Sequence, residues 1–183
     1  VKPGVRIAGG AHRGRGLAVP PGARPTEGRV REALFSIWSD RLEGARVLDL
    51  CAGSGAVGFE ALSRGALSAL LVDEDLRAVK TLEANLALLG ETTVTIRRLT
   101  LPGGLARLAD AGPFDLIYFD PPYTFQPYEA VLAGLAPLLA AEGEVAAEHT
   151  TRRDLPVQAG ALVRVDTRKY GESSLSFYRR GPG

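Results

Sequence analysis

The sequence predicts an α/β fold: a doubly wound, mostly parallel sheet of seven strands, an antiparallel C-terminal hairpin and a small N-terminal extension. Three observations predict it. From residue 46 onward, strand-like apolar runs such as residues 116–119 alternate with helical periods, the order of a parallel sheet covered on both faces. Residues 47–58 run from an apolar strand through a glycine turn into a helix, the layout of a ligand loop at a strand end. The last two strand-like runs have no helix-length gap between them, so they pair antiparallel.

Length and composition bound the rest. A chain of 183 residues suggests one domain with a small appendage. Hydrophobic residues at 45% and charged residues at 23% exclude a disordered or fibrous chain. One cysteine, Cys51, rules out an intramolecular disulfide framework and fits a reducing compartment. The longest apolar run, residues 130–141, is too short to span a bilayer and contains Pro137. No charged-then-apolar leader opens the chain, so a cytoplasmic protein is expected.

Residues 1–40 read as a basic extension and 41–183 as the main domain. Strand-like runs at 5–8 and 17–19 flank a Gly- and Arg-rich stretch and predict a hairpin, which Pro20, Pro21 and Gly22 end. Thr26 is the N-cap expected for a helix over 27–38, with Val30, Ala33, Leu34, Ile37 and Trp38 on one apolar stripe. Arg29 and Arg31 are expected to project away from that stripe. Strands follow at 46–50, 69–73, 93–97, 114–119, 144–148, 162–166 and 175–179, with the clearest helical periods at 76–89 and 127–139. Net charge is +1, but residues 1–31 hold seven basic side chains against Glu27, a balance of +6 that leaves −5 for the remainder. A basic arm on an acidic body fits a nucleic-acid contact surface or a merely solvated terminus.

The glycine loop narrows the chemistry. Gly53, Gly55 and Gly58 satisfy GxGxxG, and Asp73 follows about 20 positions later, placed to accept both hydroxyls of a ribose. Dinucleotide oxidoreductases and methyltransferases share this layout. Asp49 separates them: a carboxylate inside the strand is unfavourable beside a pyrophosphate and favourable beside the sulfonium and ammonium of S-adenosylmethionine. It is also free to do no more than bond loop amides. Cys51 lacks a histidine partner and reads as a small buried filler rather than a nucleophile.

A second motif, Asp120-Pro121-Pro122-Tyr123, closes the strand at 114–119. Each proline holds its predecessor extended and removes an amide donor, leaving the Asp120 carboxylate and the Asp120 and Pro121 carbonyls as acceptors. An acceptor cluster suits a planar exocyclic amine. Two hydrogen bonds from the amine would pyramidalise the nitrogen and free its lone pair for attack on a methyl group. Tyr123 offers a face for a base pulled out of its helix. His12 and His149 have no cysteine company, so no metal site is expected.

In these motifs the chain resembles the RsmD family of bacterial 16S ribosomal RNA guanine-N2 methyltransferases. The resemblance runs nearly the whole length. It rests on Arg24-Pro25-Thr26 with Arg29-Val30-Arg31-Glu32-Ala33-Leu34-Phe35, on residues 47–55, on residues 120–123, on Glu148-His149, and on Arg168-Lys169-Tyr170-Gly171 with Leu175-Ser176-Phe177-Tyr178. It implies a Rossmann-like class I domain and S-adenosyl-L-methionine as cofactor. Asp49, Cys51, Ala52, Gly53, Ser54, Gly55, Asp73 and Glu74 would bind that cofactor. Asp120 and Pro121 would orient the amine and Tyr123 would stack the base. It would place Arg24, Thr26, Arg29 and Arg31 near the catalytic face. With Arg13, Arg15 and Lys169 they are the candidates for contact with 16S rRNA, free or within a small-subunit assembly intermediate. Lys169 reads equally well as a solvated side chain beside a packed Tyr170, and oligomeric state stays open with a monomer favoured. One departure stands out: no acid lies between Glu91 and Asp110, where an Asp for the adenine amine is expected, which leaves backbone groups or Thr100 for that task. An adenine-N6 methyltransferase, a non-catalytic nucleic-acid-binding module and a nicotinamide oxidoreductase remain alternatives. The compact arm speaks against a DNA enzyme, and Asp49 against the oxidoreductase.

Overall fold

The computed structural model describes residues 4–23 and 28–182, so Arg24, Thr26 and Glu27 lie outside the described residues. The chain forms two compact units, Val1–Arg98 and Leu99–Gly183.

In the first unit, β1 (Val5–Arg6) and β2 (Gly16–Leu17) pair antiparallel, followed by α1 (Gly28–Ile37), β3 (Arg46–Leu50), α2 (Ala56–Ser63), β4 (Ser68–Asp73), α3 (Leu76–Leu89) and β5 (Val94–Arg98). The three longer strands are parallel in the order β5-β4-β3. Of the expected apolar stripe of α1, Val30, Leu34 and Trp38 are buried and Ala33 and Ile37 half-buried, while Phe35, which was not assigned to the stripe, is buried as well. α3 is capped at its N-terminus by Asp75, whose side chain accepts from Arg77 N, and at its C-terminus by Gly90 in the left-handed region.

The hairpin strands are shorter than their sequence pattern predicts. The reason is competition for the backbone. Ala8 N and Gly9 N donate to the Glu60 carboxylate of α2 at 2.8 and 2.9 Å, and Ala18 N donates to Asn85 Oδ1 of α3 at 2.9 Å. Side chains from two helices take the donors that further ladder bonds would use. The hairpin tip is seated as well. Ser63 Oγ accepts from His12 N and donates to Gly9 O, and Ala11 N donates to Ser63 O at 2.8 Å. At Gly10, φ is +80° and a Cβ would collide with the Ser63 carbonyl, so the close approach requires glycine.

The second unit contains β6 (Phe114–Phe119), α4 (Tyr128–Leu135), β7 (Leu139–Thr150), β8 (Gln158–Ala159), β9 (Leu162–Tyr170) and β10 (Ser173–Arg180). Its order is β6-β7-β10-β9-β8, with β6 and β7 parallel and the other pairs antiparallel. The fold class is α/β with parallel central strands and antiparallel C-terminal strands, as the alternation predicts. All seven expected strands are present, and the two-residue β8 is added. The helix expected over 127–139 stops at Leu135, a 3-10 turn carries Ala136–Leu138, and β7 starts at Leu139. Pro137 explains the change, since it cannot extend the α-helical ladder. Among the described residues, no helix is long and apolar enough to cross a membrane.

Candidate active site

The glycine loop in the first unit is held from several sides. Ala52 N donates to Val72 O at 2.9 Å, and Gly55 N to Ala52 O at 2.8 Å. Gly53 N donates to Asp73 Oδ2 at 2.9 Å, while Asp73 Oδ1 accepts from Asp75 N at 3.0 Å. These bonds bring the predicted residues Ala52, Gly53 and Gly55 together with Asp73. Gly53 has φ of +59°, and nothing stands within 4 Å of where its Cβ would be. The loop therefore opens on that side, with the half-buried Asp73 carboxylate beside it. Each Asp73 oxygen retains a lone pair for a further donor. Cys51 is half-buried rather than buried and sits at φ 61°, a left-handed conformation. Glu74 is exposed and offers its carbonyl to Arg98 Nε at 2.8 Å.

Asp49 is 2% exposed, and its Oδ2 accepts from Gly58 N at 3.0 Å. A Cβ at Gly58 would strike Leu71, so glycine lets α2 approach the sheet closely enough for that bond. Burial pushes the Asp49 carboxyl up to about 7, with the Gly58 N–H opposing and the charge of Asp73 adding to the rise. A carboxyl whose folded-state pKa lies above its unfolded value holds its proton more tightly in the folded chain. Its contribution to stability therefore falls as pH rises from about 4 to about 7, then levels off. Asp49→Asn keeps an oxygen for Gly58 N and should flatten urea-unfolding stability across that window. A slope equal to that of the wild type would assign the titration to another group.

The buried polar residue that holds this loop was not foreseen. Asn85 of α3 is 2% exposed and donates from Nδ2 to Ser54 O at 2.9 Å. It was detectable as a polar position in line with Ala78, Leu82 and Leu89 on an otherwise apolar helix face. Glu60 was missed too, although it is the one charge in the apolar helix Ala56–Ser63.

In the second unit, Asp120 is half-buried at the end of β6, Pro121 is buried, and Pro122 and Tyr123 are exposed. Phe125 N donates to Pro122 O at 2.9 Å and closes the turn. Phe125 then anchors the loop: its ring lies 5.8 Å from Phe119 and 5.8 Å from Tyr128, both edge-on. Arg153 donates to the carbonyls of Phe125 and Gln126, and its guanidinium lies 4.2 Å from the Tyr128 ring centre. The Tyr123 ring is thus presented outward from a braced loop, its hydroxyl 3.5 Å from Ser173 Oγ.

Below this loop, Glu148 is buried, with Tyr118 Oη donating to Oε1 at 3.0 Å and Tyr128 Oη to its carbonyl at 3.1 Å. His149 bonds Ser176 Oγ through Nε2 at 2.8 Å and Thr150 O through Nδ1 at 2.9 Å. Burial lowers the His149 pKa, the main influence on it, so the ring is neutral near pH 7.

The basic residues divide. Arg13, Arg29 and Lys169 are exposed. Arg15 is exposed but donates to Leu88 O at the end of α3, at 2.8 Å. Arg31 corrects the expectation: it does not project into solvent. It is buried, donates to Arg6 O at 2.9 Å and lies 3.7 Å from Glu60, because α1 turns that side toward the hairpin. Thr100 is exposed, and its carbonyl accepts from Gly104 N at 2.7 Å. Among the described residues, no group of three or more His, Cys, Asp or Glu side chains is arranged to hold a metal ion.

Comparison with known proteins is consistent with these features. "Putative rRNA methyltransferase YlbH" of Bacillus subtilis is 34% identical over 183 residues, covering 96% of this chain and 99% of that protein. "Ribosomal RNA small subunit methyltransferase D" of Escherichia coli K12 is 43% identical over 122 residues, 65% of this chain and 60% of that protein. The solved structure of "Putative methyltransferase yhhF from Escherichia coli" superposes with a TM-score of 0.84 at 34% identity, covering 96% and 97% of the two chains. The model of the family described as conserved hypothetical protein 95 matches residues 5–179. With that match taking in the whole of the glycine loop and the Asp-Pro-Pro-Tyr turn and nearly all of the basic arm, the chain belongs to this family, and the RsmD resemblance of its motifs is borne out.

Proposed function

We propose that this chain is a methyltransferase that acts on the exocyclic N2 amine of a guanine in 16S rRNA, as a cytoplasmic monomer, with S-adenosyl-L-methionine as methyl donor. The observation that carries the reading is the braced, acceptor-only turn at the end of β6. Asp120 is half-buried there, two prolines remove amide donors, and Tyr123 presents an exposed ring. The names of the relatives support the reaction class and the rRNA substrate.

The residues of the glycine loop fit the donor. Gly53 leaves an open cradle, Asp73 supplies a half-exposed carboxylate for ribose hydroxyls, and Asp49 is buried with its carboxyl bonded to Gly58 N. When bound, S-adenosylmethionine supplies a methyl group activated by a sulfonium. The chain's own part is positional. Asp120 and the Pro121 carbonyl accept the two N–H groups of the amine and localise its lone pair, and the carboxylate offsets the positive charge that grows on nitrogen. Tyr123 stacks the extruded base. Residues 1–40 form the RNA arm, with Arg13 and Arg29 its exposed cations, and 41–183 the transferase domain; Lys169 adds a phosphate contact.

The test is radiolabelled methyl transfer to undermethylated 16S rRNA, assembled small subunits and duplex DNA, with products digested to nucleosides. Label in N2-methylguanosine is expected. Label in N6-methyladenosine would overturn the substrate, and bound donor without transfer would overturn the reaction. Arg13→Glu with Arg29→Glu should weaken RNA binding by roughly tenfold or more at low salt and leave donor binding intact. Unchanged RNA affinity would remove the arm from the interface.

A further inference from the structure

We infer that Asn85 is a positioning residue that joins the basic hairpin to the glycine loop, so that RNA and methyl-donor binding are coupled through one buried side-chain amide. The inference rests on the reading of those two segments given above, and it adds the connection between them.

Asn85 uses its whole donor set on segments far apart in sequence. Nδ2 donates to Ser54 O in the glycine loop and to Ala18 O just after β2, both at 2.9 Å. Oδ1 accepts from Ala18 N, also at 2.9 Å. The amide thus reads both backbone groups of Ala18, as a neighbouring strand would, and spends its second N–H on the loop. No other common side chain of this size offers two donors and an acceptor in one plane.

The placement is costly enough to require an explanation. Asn85 occupies the buried stripe of α3, flanked by Leu82 and Leu89, where a leucine would favour both helix and core. A buried amide is tolerated there because all three bonds are made. The Ser54 carbonyl belongs to the turn whose Gly53 opens toward the proposed donor, and Ala18 belongs to the arm that carries Arg13 and Arg15. A ligand that shifts either segment must turn the Asn85 amide or break one of its bonds, so the placing of one segment bears on the placing of the other. The coupling is reciprocal by thermodynamic necessity.

The experiment measures the affinity of S-adenosylhomocysteine by calorimetry, without and with a saturating unmodified 16S rRNA transcript. In the wild type the transcript should tighten binding by about fivefold or more. In Asn85→Ala that ratio should fall to below about twofold, whatever the variant's affinity for either ligand alone. A merely structural role would lower stability and leave the ratio unchanged. Should Asn85→Ala fail to fold, Ala18→Pro removes the N–H that Oδ1 accepts, fixes φ at that residue and leaves α3 and the bond to Ser54 O in place, and a fall in the ratio is expected there too. A wild-type ratio near one with both ligands bound, or a folded variant that keeps the wild-type ratio, overturns the coupling. Failure of the wild type to bind S-adenosylhomocysteine or the transcript at all overturns the functional reading itself, a distinguishable result.

Discussion

Asp120→Ala is expected to lower kcat for methyl transfer by about 10²–10³ while leaving S-adenosylhomocysteine affinity unchanged. Asp120 ends β6 in a turn from which two prolines have removed amide donors, and the turn is braced by Phe125 against Phe119 and Tyr128. Removing the carboxylate deletes one of the two acceptors proposed for the amine but leaves the Pro121 carbonyl, so the loss is large and incomplete. Asp120→Asn keeps one oxygen acceptor and should fall between alanine and wild type. Single-turnover transfer alongside calorimetry separates the chemical step from binding. Wild-type turnover in Asp120→Ala would remove this carboxylate from the mechanism.

The second large effect is on stability. Glu60 is fully buried and gathers Ala8 N, Gly9 N and Arg64 Nε at 2.8, 2.9 and 2.7 Å, with Arg31 Nε 3.7 Å away. Glutamine has nearly the same shape but turns an NH₂ group toward donors and removes the charge opposite two guanidinium groups. Breaking one side of a buried ionic cluster costs about 3–5 kcal/mol. Glu60→Gln should therefore lower Tm by roughly 6–20 °C in a chain of this size. The amides of Ala8 and Gly9 should lose hydrogen-exchange protection first, because the hairpin depends on this carboxylate more than the sheet does. A Tm within about 2 °C of wild type would show that the hairpin is held by its other contacts, such as Ser63 to Gly9 and His12.

These two residues mark the limits of what the sequence reveals. The turn at Asp120 was legible because its constraints are local: proline restricts its own φ and the conformation of the residue before it, whatever surrounds it. The glycine loop was legible for the same reason, and the 20-residue spacing to Asp73 follows from the length of one helix and one strand. Glu60 and Asn85 were not read, although each is an anomaly of pattern: a lone charge in an apolar helix and a lone amide in an apolar stripe. Periodicity places such a residue on a buried face but cannot say which distant backbone it will meet. Arg31 shows the converse error. Its neighbours in sequence suggested an outward cation, and the hairpin folded back across that side of α1.

By itself, then, the sequence determined the α/β class, the position of seven strands, the acceptor-only turn and the glycine loop. All of these follow from backbone restrictions and from periods of two or 3.6 residues. Only the tertiary structure decided where the hairpin strands end, which arginines are anchors and which are exposed, that Asp49 is buried enough to titrate near pH 7, and that one asparagine holds two segments at once. Those outcomes depend on which polar groups meet once water has been excluded. A buried donor or acceptor must find its partner wherever the fold brings one, at a sequence separation that no local pattern records.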